Sequence, residues 1–211
     1  MQNLEVVCVI NNLSEKDAAE LEFWTRKYNE GLATWRNRDY QRALSYFPKL
    51  KNESGNGLDL GCGIISIFEG TGLTVTAIDP LLEEYLNVYK IPENNTVEGV
   101  LYQPGYGDGE SLPYCDDFFD FIMCLNVIDH TEHHKLMISE IGRVLKPEGK
   151  LYFEVNFDPA LGAPLHVKQW TIDTIREEVP FFMQRGIIDY IDCYDKYQFW
   201  GEFINKEGAK F

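Results

Sequence analysis

The chain is short of positive charge: nineteen Lys and Arg stand against thirty-four Asp and Glu, a formal net charge of −15 over 211 residues. A field of that sign repels phosphate backbones and anionic membrane surfaces over a Debye length or more, which argues against nucleic acid and membrane as partners. The basic residues are scattered, with mild clustering only at Arg36, Arg38 and Arg42, and the plain reading of those three is a solvated helix face. Cysteine pairs at redox or metal spacing are also missing. The five cysteines, at 8, 62, 115, 124 and 193, are odd in number and never form C-x-x-C, so free thiols in a reducing cytoplasm, and no bound metal, are expected. Long apolar runs are lacking as well. The first, Leu4 to Ile10, has no basic residue before it and meets Asn11-Asn12 rather than a small-residue cleavage site, too short for a signal core with flanks or a membrane span. No segment is Pro- or Ser-rich enough for a linker, and no repeat is visible. With 45% hydrophobic and 25% charged residues, length and composition suit one domain with a modest appendage.

Local patterning divides the chain near residue 56. Before it, Leu4 to Ile10 reads as a strand or a loose extension; Ser14 and Asp17 resemble a capping box, and Leu21, Trp24 and Tyr28 recur at helical spacing, predicting a helix from about 15 to 30. A second helical stretch, 40 to 47, stops at Pro48. Residues 1–56 are thus expected to form a mainly helical lead-in, and 57–211 the main domain. From residue 57 short apolar runs alternate with helical stretches, the signature of an α/β fold with a mostly parallel sheet. Strands are predicted at 57–60, 74–78, 97–102, 119–125 and 150–156, with helices near 64–70, 81–89, 132–145 and 171–178. Two further extended runs, 186–191 and 198–204, form an antiparallel hairpin at the sheet edge.

Gly61 and Gly63 lie just past the first of these strands, where a tight turn brings backbone N–H groups against a ligand. In a dinucleotide fingerprint, G-x-G-x-x-G, the third glycine would fall at Ser66. Asp59, two residues before the first glycine, suits a cationic ligand better than a pyrophosphate, and a zwitterionic methionyl group fits. The strand TVTAID ends at Asp79, where a carboxylate can accept hydrogen bonds from both hydroxyls of a ribose. The bland alternative uses the glycines for geometry alone and Asp79 as a helix cap.

LDLGCG, AID, GDGESLPYCDDFFD and LNVIDH…ISEIGRVLKPEGKLYFEV together resemble, in order and spacing, the successive motifs of class I S-adenosylmethionine-dependent methyltransferases of the type 11-like kind, over about residues 57 to 157. The resemblance implies a Rossmann-like, doubly wound, seven-stranded sheet and S-adenosylmethionine as cofactor. It implies that Asp59, Gly61, Cys62 and Gly63 surround the methionyl part, that Asp79 holds the ribose, and that Pro80 and Leu81 lie beside the adenine. Asp108 would meet the adenine amine, the Gly109 backbone its ring nitrogens, and Glu110 and Asn126 complete the set. The family often has glycine at the position of Ile65, and a branched side chain there narrows the approach to the cofactor. For Asp108 the bland alternative is an ordinary turn residue.

The run FDFIMCLNVIDH delivers Asn126 to His130 to the carboxyl edge of the sheet, where an acceptor would meet the methyl group. His130 is the first candidate base for a hydroxyl acceptor, and His166, in PLHVKQW, the second. His133 and His134 are expected to begin the next helix and face solvent. Trp24, Tyr28 and Trp35 form either an aromatic lid over the cofactor or a staple between helix and sheet. The expected activity is methyl transfer to a small molecule, oxygen favoured over nitrogen, by a cytoplasmic monomer or homodimer. A nicotinamide-dependent oxidoreductase and a non-catalytic binding protein of the same fold are the alternatives.

Overall fold

The computed structural model describes residues 13–29, 31–89, 91–92, 94–157, 168–191 and 196–206, so the run Leu4 to Ile10 lies outside the described residues. Two helices lead, α1 (Glu15–Asn29) and α2 (Leu32–Tyr46), followed by a 3-10 turn at Leu50–Asn52. The sheet begins with β1 (Asn56–Leu60) and β2 (Thr74–Ile78), continues through the one-turn α3 (Leu82–Tyr85), β3 (Thr96–Val97) and β4 (Val100–Tyr102), and then β5 (Phe119–Leu125). A 3-10 turn at Ile128–His130, α4 (His134–Val144), β6 (Leu145–Phe157), α5 (Ile172–Glu178), β7 (Phe182–Ile191) and β8 (Lys196–Ile204) complete it.

The eight strands form one sheet in the order β3-β4-β2-β1-β5-β6-β8-β7. β4, β2, β1, β5 and β6 run parallel, β8 and β7 return antiparallel at one edge, and β3 pairs antiparallel with β4 at the other. The expected seven-stranded sheet with its edge hairpin is present. The eighth strand, β3, is two residues long and arises because Glu98 and Gly99 take positive φ, folding the single predicted strand 97–102 into a hairpin.

Period-two alternation sorts the central strands onto two cores. Ile122, Cys124, Leu151 and Phe153 point to one face, where Ile138, Ile141 and Val144 of α4 and Ile175 of α5 cover them. Phe121, Met123 and Tyr152 point to the other, against Ala43, Phe47 and Phe68. Burial on both faces is why these strands read as nearly continuous apolar runs. The α4 residues recur at i, i+3 and i+6, one stripe of a helix.

Three helical expectations need correction. Residues 64–70 are a series of turns, because the Ser66 hydroxyl accepts from the Phe68 N–H at 3.2 Å and Gly70 and Gly72 at positive φ close the segment. The helix predicted over 81–89 spans only Leu82–Tyr85 before relaxing into turns. The stretch 40–47 is the last part of a longer helix, α2, whose start lies behind Gly31. From β1 the chain winds outward through β2 and β4, then returns to place β5 on the other side of β1. The carboxyl ends of β1 and β5 therefore flank the switch point at which open α/β sheets bind ligands.

Candidate active site

β1 delivers Asp59 and the glycine turn to that edge. The Gly61 and Cys62 N–H groups donate to the Ile78 carbonyl at 2.9 and 3.1 Å, fixing the turn to the end of β2. Gly61 has φ +74°, and a Cβ there would lie 2.4 Å from the Val127 side chain, so only glycine fits. Asp79, at the end of β2, accepts from the Gly63 N–H on one carboxylate oxygen and from the Leu81 N–H on the other, both at 2.9 Å. Its second lone pairs remain for a ligand diol. Burial pushes the Asp79 carboxyl up to about 6, against the pull of those two N–H groups. Asp59 is buried, accepts from the Ser66 hydroxyl at 2.6 Å, and is pushed up to about 7 by burial and, more weakly, by the charge of Asp79. Two desolvated carboxylates beside one loop favour a cationic ligand group. Ser66, where a dinucleotide fingerprint has its third glycine, is thus committed to this loop.

The segment 107–110 lies against the end of β2. A Cβ on Gly107 would lie 2.0 Å from the Asp79 carbonyl carbon, so this glycine lets the segment lie directly on the Asp79-Pro80 peptide. Asp108 accepts from the Glu110 N–H at 2.9 Å, the local turn bond of the bland alternative, while also lining the cavity; Glu110 accepts from the Thr131 hydroxyl. A Cβ on Gly109 would meet the Met137 side chain at 2.5 Å.

Most of these groups surround a cavity of about 690 Å³, within the range of small-ligand sites. Asp59, Gly61, Cys62, Asp79, Pro80, Leu81, Asp108, Gly109, Glu110, Asn126 and His130 all line it. Gly63 reaches the same loop through its bond to Asp79. His166 lies outside the described residues. Ile65 also lines the cavity and is packed with Ile64, Leu81 and Leu21, so its branched side chain seats α1 on the glycine loop.

His130 is held from three sides. Its Nδ1 lies 2.9 Å from Glu20 Oε1, its carbonyl accepts from Lys16 Nζ at 2.5 Å, and its Nε2 faces the Asn126 amide nitrogen at 3.4 Å. Asn126 itself sits at φ +56°, with its N–H on the Glu154 carbonyl at 2.9 Å, which turns its side chain toward the ring. A row of amides continues along the strand ends: Asn156 donates to Asn126, Gln198 donates to Asn156 at 2.8 Å, and Arg42 donates to Gln198.

The arginine expectation is corrected in part. Arg38 is exposed beside Asp39, but Arg36 pairs with the buried Glu69 at 2.5 Å, Arg42 is half-buried, and all three arginines line the cavity. Glu69 also accepts from Tyr89 at 2.9 Å and from Tyr102, whose oxygen takes the Ser66 N–H at 2.9 Å. His134 is corrected too. It is half-buried with Nε2 2.7 Å from Glu178, and burial together with Lys168 holds its pKa below the usual value; His133 is exposed, as expected. Of the aromatic trio, Trp24 lies over the turn, with a Cβ on Gly63 only 2.7 Å from its ring, whereas Tyr28 contacts Tyr89 at 6.3 Å between ring centroids as a staple. The side chain of Trp35 lies outside the described residues.

Comparison with known proteins identifies the family. A family model described as a methyltransferase domain matches residues 32–190. The uncharacterized methyltransferase YcgJ of Bacillus subtilis is 30% identical over 106 residues, 46% of this chain and 41% of that protein. The thiol S-methyltransferase TMT1B of Mus musculus is 30% identical over 116 residues, 52% of this chain and 47% of that one. The chain thus spans less than half the length of these two relatives. Among solved structures, the Burkholderia thailandensis 1,6-didemethyltoxoflavin-N1-methyltransferase, with S-adenosylhomocysteine bound, has the same fold at a TM-score of 0.63, covering 92% of each chain at 15% identity.

Proposed function

Because the chain belongs to the class I S-adenosylmethionine-dependent methyltransferase family, with S-adenosylmethionine as its cofactor, we propose that it methylates a small molecule on oxygen, with His130 as the base. The observation that carries this reading is the pair Glu20–His130 on the wall of the cavity. In the tautomer that donates Nδ1–H to Glu20, Nε2 is an acceptor faced by the Asn126 amide nitrogen at 3.4 Å, and an acceptor hydroxyl that displaces this long contact can give its proton to Nε2. Glu20 orients the ring and stabilises the imidazolium that forms.

The remaining residues bind and align. Asp59, Gly61, Cys62 and Gly63 receive the methionyl part, Asp79 the ribose hydroxyls, and Pro80, Leu81, Asp108, Gly109 and Glu110 the adenine, while Asn126 fixes His130. When bound, S-adenosylmethionine supplies a methyl group already activated on a cationic sulfur. The protein's contribution is alignment in a site from which α1 and the segment 107–110 exclude water. Residues 1–56 act in this scheme as the lead-in that covers the cofactor, on the domain formed by 57–211.

Similar proteins differ in acceptor atom: the names above specify sulfur and nitrogen, and a ubiquinone biosynthesis O-methyltransferase of Rickettsia conorii is 30% identical over 108 residues, 49% of this chain and 36% of that one. Oxygen is favoured here because an oxygen acceptor needs a base and a carboxylate-paired histidine supplies one. Calorimetry with S-adenosylmethionine and S-adenosylhomocysteine tests the cofactor. Release of S-adenosylhomocysteine against a panel of hydroxyl, amine and thiol acceptors tests the reaction. No binding by folded protein at millimolar cofactor would remove the reading, and turnover of amines with His130→Ala at full rate would remove the oxygen assignment.

A further inference from the structure

Among the described residues the cavity holds a half-buried cation with no carboxylate partner. Arg42 lines it, donates one of its guanidinium N–H groups to Gln198 and lies with its Cζ 5.0 Å from the Trp200 ring centre. Among the described residues no carboxylate comes within ion-pair distance of it, in contrast to Arg36, which is neutralised by Glu69, and Arg38, which is beside Asp39. A guanidinium whose plane is already set by a ring and an amide has lost much of its freedom, so an oxyanion that meets it gains two directed bonds at little further cost. In a protein of net charge −15, a preset, unneutralised cation turned into a cavity is a feature with a ligand to match.

Its position separates it from the cofactor. Arg42 is anchored on β8, and β8 stands three places from β1 in the sheet order, about 14 Å at the usual strand spacing. Arg36, which belongs to the glycine-loop end through Glu69, lies six residues earlier on α2, about 9 Å along the helix axis. The row Arg42, Gln198, Asn156, Asn126 and His130 then runs from this cation to the base. Resting on the methyltransferase reading above, we propose that Arg42 receives an oxyanion, carboxylate or phosphate, carried by the methyl acceptor, and so sets the acceptor's reactive end at His130.

The experiment uses the whole protein saturated with S-adenosylhomocysteine and titrated with benzoate, phenyl phosphate and the neutral benzyl alcohol. At least one of the two anions is expected to bind tenfold or more tightly than benzyl alcohol, the stronger of the two naming the oxyanion. Arg42→Gln should erase that preference, Arg42→Lys restore part of it, and S-adenosylhomocysteine affinity stay within threefold in both. Equal binding of the three probes, or a preference that survives Arg42→Gln, overturns the proposal. So does a tenfold loss of S-adenosylhomocysteine affinity in Arg42→Gln, which would assign the cation to the cofactor's own carboxylate. Should Arg42→Gln not fold, raising NaCl from about 50 to 500 mM on the unmodified protein must weaken the anions and spare benzyl alcohol; unchanged anion binding overturns the idea. If S-adenosylhomocysteine fails to bind the unmodified protein, the methyltransferase reading fails. The same titrations without it still decide whether Arg42 is an oxyanion receptor.

Discussion

Asp79 concentrates more of the site than any other side chain, because it ties the glycine turn to the strand beside it through two N–H bonds. Asp79→Ala removes both charged acceptors along with the proposed ribose contact. At roughly 1.5–3 kcal/mol for a hydrogen bond to a charged group, S-adenosylhomocysteine affinity should fall about a hundredfold or more in calorimetry while the protein remains folded by circular dichroism. Asp59 gives a pH signature. Its folded pKa of about 7 stands above the ordinary 3.8, so the folded state holds a proton that the unfolded state releases. That contribution is complete below pH ~4 and is lost as pH rises through about 7. The midpoint of thermal unfolding of the cofactor-free protein should therefore carry a component that declines between about pH 4 and 7, measured by scanning fluorimetry, and Asp59→Asn should reduce it to the part that Asp79, raised to about 6, supplies. Asp59, the two glycines and Asp79 were legible in the sequence because their spacing along two neighbouring strands is itself the site. Glu20 was not, since its meaning lies in His130, more than a hundred residues away, and nothing local marks it.

Among the elements, α1 is held on the sheet by a small apolar set. Leu21 is buried with Ile64, Ile65, Leu81 and Tyr85, and Trp24 lies on Gly63. Leu21→Ala, at about 2–5 kcal/mol for a buried leucine, should free α1 more than the rest, seen as faster amide exchange across Glu15–Asn29 with β5 and β6 still protected. Glu20→Gln tests what the helix does for chemistry. It should lower kcat by about tenfold or more with little change in S-adenosylhomocysteine affinity, and an unchanged kcat would make the Glu20–His130 contact a packing detail. Strands were easier to read than the turns between them. Near-continuous apolar runs such as FDFIMCL announce a strand covered on both faces, whereas the missing helix at 64–70 depends on where the Ser66 hydroxyl goes, which is a tertiary fact.

For the whole molecule, charge sets the terms. A formal −15 destabilises the compact state by self-repulsion, and added salt screens it over a Debye length that shortens from about 30 Å at 0.01 M to 10 Å at 0.1 M. Thermal midpoints should rise as NaCl goes from 0.01 to about 0.3 M, whereas a flat or falling series would mean that local ion pairs outweigh the net field. Composition made that global imbalance plain but hid its exception, since Arg36 and Arg42 reach the cavity because α2 packs on one face of the sheet through Ala43 and Phe47. No helix among the described residues is long and apolar enough to cross a membrane.

The double grip of α1 on His130, through Glu20 at the ring and Lys16 at the carbonyl, gives one element two jobs in the proposed scheme. The helix that shuts the cavity also arms the base, so shelter and reactivity arrive together. A molecule caught with α1 lifted would hold its methyl donor but leave a hydroxyl its proton. On that proposal methyl transfer to a hydroxyl would require α1 to be seated, with no separate sensor.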